Sequence, residues 1–518
     1  MATMDEDLQK SGLTKGDLPN FVELDDAETN KICGKRVASY RIGYKDIDGN
    51  DLLVNGAPFF RLRFLDPKAA GMRYWTAPAG GVHLYIPLSF WDALRTSRLA
   101  VVVIVEGEKK AEAGCKAGIP TVAVPGIWMY RDQQAKARLQ EALTAQLKSA
   151  ADAVDALRNS PDIPVSPEIL ELIRRAKEAR PALIGVLILF DNDGKPLAPE
   201  EMKEFSRGKM FLTKNVGVFV HPTTKEAFTV ANPQVAQAGW LFAESLRRQL
   251  PGEWRLPVMN DFCPLRFEND GDNRFFRHLG LDDWIVEDGA DSVVNALYAT
   301  ITPLLKMSDL LDLSELFGPR LDPALLGGSG KMSPENLFLM LLDKEQVGEY
   351  EGVLYLWKKT HWSVVEDKTL FHAASAFLRT VFPAKMTDRT LKSIAYCTGK
   401  ADGLYAIPTP KKSEIRVALR DYVAEIDHAT GEVRQVEGDK RHGLRHAVEA
   451  DWSDKDKPTP LWDGFIQKIL PDSEVRRLVL EYLGYTLLSD TRFQVAQFWV
   501  GSGANGKSTL AEIVAAVH

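Results

Sequence analysis

Leu99-Ala-Val-Val-Val-Ile-Val105, followed by Glu106-Gly107-Glu108-Lys109-Lys110-Ala111-Glu112-Ala113, is the stretch on which the fold turns. Seven apolar residues without alternation suit a strand buried on both faces of a parallel sheet. The run ends on a carboxylate and a glycine and passes at once into helix-forming sequence. A second run of this kind, Ala182-Leu-Ile-Gly-Val-Leu-Ile-Leu-Phe190, ends in Asp191-Asn192-Asp193-Gly194. In open parallel sheets the reactive groups sit at the carboxyl ends of the strands. Residues i and i+2 of a strand share a face, so Asp191 and Asp193 converge, and Glu106 from a neighbouring strand makes a third carboxylate. Magnesium held by carboxylates and water is the usual compensation for such a cluster where phosphates are handled.

Working outward, Ala231–Leu250 carries apolar residues at helical spacing, and Trp254-Arg-Leu-Pro-Val258 is predicted to return as a strand, completing an alternating βα unit. Two insertions are expected: helix-like 133–180, with Ser166-Pro167 as a helix start, and 195–230, with a hairpin over Lys209–Val230. The preceding residues 1–98 read as a β-rich platform. Phe59-Phe-Arg61-Leu-Arg63-Phe64 and Arg73-Tyr74-Trp75 alternate cations with aromatics, a pattern suited either to phosphates and stacked bases or to arginines standing in water.

The glutamate-glycine pair and the Asp-x-Asp together resemble the Toprim domain of bacterial-type primases, topoisomerases and some nucleases. The resemblance implies that Glu106 is a general acid or base or a metal ligand, and that Asp191 and Asp193 bind Mg2+ or Mn2+. Lys110 departs from it, because many members have aspartate four residues after the glutamate. Gly280-Leu281-Asp282-Asp283-Trp284 resembles the segment that closes Toprim-like domains of phage and plasmid proteins, although Asp282 and Asp283 equally suit helix capping.

Near the end stands Gly501-Ser-Gly503-Ala-Asn505-Gly506-Lys507-Ser508-Thr509, a full phosphate-binding loop. Its glycines let backbone N–H groups close round phosphates, the lysine reaches the outer phosphates, and the Ser508 hydroxyl meets magnesium. Val495–Val500 reads as the strand before the loop and Ser508–Val517 as the helix after it. The acidic residue and arginine that ATP hydrolysis needs do not fit into the residues that follow. The chain is therefore expected to be a fragment, with ATP bound but not turned over and the 495–500 strand left without its sheet. Upstream, Gly352–Trp357, Trp362–Val365, Ile415–Leu419 and Tyr422–Asp427 read as short strands, with Asp427-His-Ala-Thr-Gly431 as a hairpin turn. With Asn505 before Gly506-Lys507-Ser508, this resembles the region leading into superfamily 3 helicases of poxvirus, phage and plasmid primase-helicases, and implies a hexameric ring for full-length relatives. Basic residues gather at Lys411, Lys412, Arg416 and Arg420 and at Lys440, Arg441, His442 and Arg445, where loops in solvent compete with phosphate contacts as the reading.

The 518 residues, 45% hydrophobic and 26% charged, imply a multidomain globular α/β chain. The expected order is a platform over 1–98, a Toprim-like domain over 99–290 and a helical segment with a Gly-Ser linker over 291–335. An α+β domain over 336–455 and the start of a P-loop ATPase over 456–518 follow. No run approaches the ~20 apolar residues of a membrane span, and the start lacks signal-peptide order, so a cytoplasmic protein is expected. Four scattered cysteines give neither a disulfide framework nor a zinc site. A net charge of -7 excludes a uniformly basic nucleic-acid binder but not basic grooves. The expected function is that of a mobile-element primase-helicase acting on single-stranded or forked DNA and nucleotides. A Toprim-type nuclease and a non-catalytic DNA-binding initiation module are the alternatives.

Overall fold

The computed structural model describes residues 3–78, 80–146, 157, 160, 163–191, 195–196, 218–220, 227–229, 233–270, 273–327, 332–398, 403–411, 413–427, 429–488, 493–501, 503 and 505–517. The chain is a mixed α/β protein of two compact units, Met1–Asp312 with Pro319–Lys331 and Leu313–Gly318 with Met332–His518. No described helix is long and apolar enough to cross a membrane.

In the first unit a short helix, α1 (Met4–Gln9), precedes an antiparallel sheet of β1 (Phe21–Leu24), β2 (Ser39–Gly43), β3 (Phe60–Phe64) and β4 (Tyr74–Thr76), in that order. A four-stranded parallel sheet follows, made of β5 (Val101–Glu106), β6 (Thr121–Val124), β7 (Gly185–Phe190) and β8 (Val258–Phe262). Its order is β8-β7-β5-β6. The continuous apolar runs arise because both faces are covered. Val101, Val103 and Val105 of β5 and Leu187 and Leu189 of β7 pack with the platform's Tyr40 and Ile42. The intervening Val102, Ile104, Val186, Ile188 and Phe190 pack under two helices, α3 (Pro167–Ala179) and α4 (Pro233–Gln249). Each fully buried branched side chain of this kind contributes roughly 1.5–3 kcal/mol.

Pro167 is the first residue of α3, as the Ser166-Pro167 pair predicts. The returning strand begins at Val258, later than expected, because Gly252–Trp254 forms a 3-10 turn and Arg255 takes a left-handed conformation. In the second insertion the described Val218–Val220 and Ala227–Thr229 pair as an antiparallel hairpin.

Gly107, at φ +98°, turns β5 into helix α2 (Glu108–Lys116). Gly114 lets α2 lie directly on β6, since a Cβ there would stand 2.3 Å from the Thr121 Oγ1. Beyond the sheet, Gly280 opens helix α5 (Leu281–Asp288), followed by helices Ala290–Thr300 and Thr302–Leu313.

The second unit holds a sheet of Trp362–Val364, Val353–Trp357, Val347–Tyr350 and Tyr405–Ala406, and a three-stranded antiparallel sheet of Ile415–Ala418, Val423–Ile426 and Val433–Val436. Asp427 closes the last hairpin by accepting the backbone N–H groups of Ala429 and Thr430. Helices Pro460–Ile469, Ser473–Thr486 and Lys507–Val517 meet through Ile466, Val479 and Leu510. Residues 495–500 form no strand, and Phe498 and Val500 are 89% and 92% exposed. A parallel strand is stable only between bonded neighbours, and none flanks this run among the described residues.

Glu112 of α2 is 5% exposed and accepts the Tyr85 hydroxyl at 2.5 Å. Burial pushes its carboxyl up to about 7, against a weaker opposing effect of the Tyr85 hydrogen bond. The folded state thus holds a proton that the unfolded chain releases, so stability falls as pH rises from about 4.5 to about 7 and is level above. Denaturant titrations should show Glu112→Gln gaining about 3 kcal/mol on wild type between pH 5 and pH 8. A difference independent of pH would contradict this assignment.

Candidate functional site

The register of β5 and β7 pairs Val101 with Gly185 and Ile104 with Ile188. Extended by two places, it sets Glu106 beside Phe190, one residue before Asp191. Parallel pairing therefore ends both strands at one edge of the sheet, although by alternation Glu106 continues the helix-covered face of Val102 and Ile104 and Asp191 the platform face of Leu187 and Leu189. Asp193 lies outside the described residues. A cleft of about 530 Å³ opens at this edge, lined by platform residues, by α1, α2 and α5, and by Gly107 and Asp191 just past the ends of β5 and β7.

Gly107 and the first turn of α2 form one wall. Lys110, a turn into the helix, makes an ion pair with the Asp191 carboxylate. Burial works against its charge, but Asp191 and then Asp282 hold the ammonium above the ordinary lysine value. Asp282 is 6% exposed; one oxygen accepts the Ser11 hydroxyl at 2.5 Å, and Oδ1 has no hydrogen-bond partner among the described residues. Its neighbour Asp283 accepts the backbone N–H of Gly280 at 3.2 Å and caps α5. Asp283 thus has the capping role, and both aspartates line the cleft. Burial first, and then the Asp282 charge, raise the Asp283 carboxyl above its usual range. Burial, followed by Asp191, likewise pushes up the thiol of Cys263, which donates its backbone N–H to Phe190.

The platform arginines neither stand in water nor wait for phosphates. Arg61 and Arg63, on one face of β3, flank the Tyr74 ring at 4.5 and 5.2 Å. Arg61 makes an ion pair with Glu108, which is 1% exposed and also accepts the Tyr44 hydroxyl at 2.7 Å. Arg63 grips Asp7 of α1 in a two-point contact at 2.8 and 2.9 Å, and Lys109 approaches the same carboxylate at 3.2 Å. Burial opposes the charge of Asp7, but the Arg63 hydrogen bonds, with Lys109 and the Tyr40 hydroxyl, hold it well below the usual carboxylate range. Lys10 and Arg73, by contrast, line the cleft with exposed side chains and have no ion-pair partner among the described residues. No sequence signal separates the committed cations from these two, because the choice depends on which carboxylates α1 and α2 bring across.

These residues suit magnesium or manganese in donor type. Both ions take oxygen ligands, and magnesium commonly uses one or two carboxylates with waters and substrate phosphates. Asp191 lines the cleft together with the Asp282 Oδ1, which has no hydrogen-bond partner among the described residues, whereas Glu106 is not among the residues that line it. Among the described residues, no three acidic, histidine or cysteine side chains stand close enough to hold an ion by themselves.

In the second unit, Gly503 and Gly506 of the loop have φ of +99° and +79°. Lys507 donates to the Asn505 side chain at 2.7 Å and to the Gly501 carbonyl at 3.3 Å. Ser508 and Thr509 follow in the first turn of the helix. Left-handed glycines, a lysine held over the loop and a helix N-terminus fit nucleotide phosphates. The basic clusters of this unit are largely neutralised internally. Arg416 pairs with Glu414 and Glu425, Arg420 with Asp451, Arg441 with Asp439, and Lys411 with Glu414. Lys440 bonds the Glu345 carbonyl and Arg445 stacks on Tyr350, while Lys412 lies outside the described residues.

Residues 90–177 match a family described as a domain of unknown function, DUF3854. No curated protein matches the chain. Among solved structures, a DNA primase domain from Pseudomonas aeruginosa aligns over 72% of this chain and 77% of its own, at 14% identity and a TM-score of 0.26.

Removing one partner of a buried ion pair leaves the other charge uncompensated and typically costs about 3–5 kcal/mol. Arg61→Met should destabilise the first unit by an amount of this order in urea titrations, and adding Glu108→Gln should recover most of it. Additive losses in the double variant would contradict the pairing.

Proposed function

We propose that the cleft performs metal-dependent nucleotidyl or phosphoryl transfer on nucleic acid, as the Toprim-like site of a primase from a mobile replication element. The observation that supports this reading is that the strands ending in Glu106 and before Asp191 adjoin, and that Asp191 lines a cleft together with the exposed Lys10 and Arg73. Glu106 is the proton-accepting group for an attacking hydroxyl, its carboxylate fixed by the strand end and the turn at Gly107. Asp191 and Asp193 are the metal-binding carboxylates. A bound Mg2+ or Mn2+ supplies charge stabilisation for phosphoryl oxygens. Lys10 and Arg73 hold backbone phosphates and so position a strand without reading its bases.

The phosphate loop is the second element of the proposal. Gly501, Gly503, Asn505, Gly506, Lys507, Ser508 and Thr509 bind ATP, with Lys507 exchanging its bonds to Asn505 and Gly501 for phosphate oxygens and Ser508 meeting the metal. The segment before the loop, with its tryptophan-centred sheet and Asp427 hairpin, is consistent with the approach to a superfamily 3 helicase module. Full-length relatives of this kind are proposed to act as hexamers on single-stranded or forked DNA.

The test is a gel assay on labelled single-stranded DNA with nucleotides and Mn2+ or Mg2+. Wild type should extend the strand, and Glu106→Gln and Asp191→Asn should each lower the rate by about 100-fold or more. Lys10→Ala with Arg73→Ala should instead weaken strand binding and flatten its salt dependence by about 0.7 in the logarithmic slope per cation removed. Metal-dependent cutting without extension would assign a nuclease, and binding without any metal-dependent chemistry would leave a DNA-binding module.

A further inference from the structure

Lys110 occupies an unusual place for a cation in a site meant for one. It sits in the first turn of α2, three residues past Gly107, and its ammonium is in ion-pair contact with Asp191. Only about a fifth of either side chain is exposed, at 19% for Lys110 and 24% for Asp191, so the pair is weakly screened by solvent. A Cβ on Gly280 would lie 2.5 Å from the Lys110 Cε and 2.7 Å from the Asp282 Oδ1, so the lysine runs past a bare glycine backbone with a buried, unpartnered carboxylate oxygen alongside. Asp282 cannot move to meet the ammonium freely, because Ser11 holds its other oxygen. Lys109, the adjacent cation, is already committed to Asp7 through both the side chain and the backbone carbonyl.

We propose that Lys110 is a resident cation of the Asp191 carboxylate, a built-in competitor that weakens divalent-ion binding there and releases Asp191 only when an ion displaces it. The proposal rests on the reading of Asp191 as a metal-binding carboxylate. A tethered ammonium and a divalent ion cannot share one carboxylate oxygen at full strength, since each gains by removing the other's partner. When displaced, the ammonium stays on its helix within the cleft, where the Asp282 Oδ1, without a hydrogen-bond partner among the described residues, lies alongside. Lys110 therefore acts through Asp191 as a positioning residue. It also keeps the cleft from accumulating uncompensated negative charge before an ion arrives, which a site built of carboxylates alone does not do.

The experiment is a calorimetric titration of Mn2+ into the full chain. Lys110→Met should tighten Mn2+ binding by about tenfold or more, or add a second ion per chain, because one opposite charge within contact distance is removed. Lys110→Arg, which keeps a cation on the same helix position, should stay near wild type. Lys110→Met with Asp191→Asn should lose the gain entirely. Lys110→Gln repeats the first variant with a polar side chain, so that a folding failure of the methionine form, seen as a lost melting transition, does not decide the matter. Unchanged Mn2+ affinity in both neutral variants would overturn the proposal, as would a gain that survives Asp191→Asn. Binding in the neutral variants but not in wild type would support the competition and refute a resident divalent ion in the wild-type cleft. No binding in any variant would overturn both this proposal and the metal-dependent reading. Binding by wild type with no response to Lys110 would overturn this proposal alone.

Discussion

The first unit depends on charges that cross from the platform to the first turn of α2. Arg61 reaches Glu108, and Arg63 and Lys109 share Asp7. These contacts are short, largely buried and mutually supporting, so removing one member strands another in a medium of low dielectric. They set the height of the platform above the carboxyl edge of the parallel sheet, and the cleft is the gap they leave. The residues following Glu106 thus act less as ligands for an incoming molecule than as fasteners between two sheets.

This arrangement explains the division of labour among the basic residues. A chain with a net charge of -7 has no cations to spare, and most of those near the cleft are neutralised within it. Lys110 serves Asp191, Lys109 and Arg63 serve Asp7, and Arg61 serves Glu108. Lys10 and Arg73 line the cleft with exposed side chains.

The parallel sheet was legible in the sequence because a strand buried on both faces leaves a signature in one dimension. Val101–Val105 and Val186–Phe190 are apolar at every position, and alternate members face alternate cores. The helix start at Pro167 and the Asp427 turn were legible for the same reason, since local chemistry alone fixes them. The partners of Arg61 and Arg63 were not legible. They depend on contacts to residues 47 and 56 positions away, and alternation of cations with aromatics says only that a strand has two faces. Asp282 and Asp283 show the limit most directly. Adjacent and chemically identical, they differ in role because one turns toward the backbone of Gly280 and the other toward Ser11, 271 residues distant. The run at 495–500 marks the opposite limit: its composition suits a strand, but a strand also needs neighbours.

The central claim is that Glu106 and Asp191 form one divalent-ion site at the carboxyl edge of the parallel sheet. Anomalous diffraction from crystals of the full chain soaked in Mn2+ tests it most directly. The account predicts a manganese peak within about 2.0–2.6 Å of carboxylate oxygens of both residues, with the Lys110 ammonium displaced from Asp191. A peak elsewhere, or no peak with the Lys110–Asp191 pair intact at saturating manganese, would contradict it.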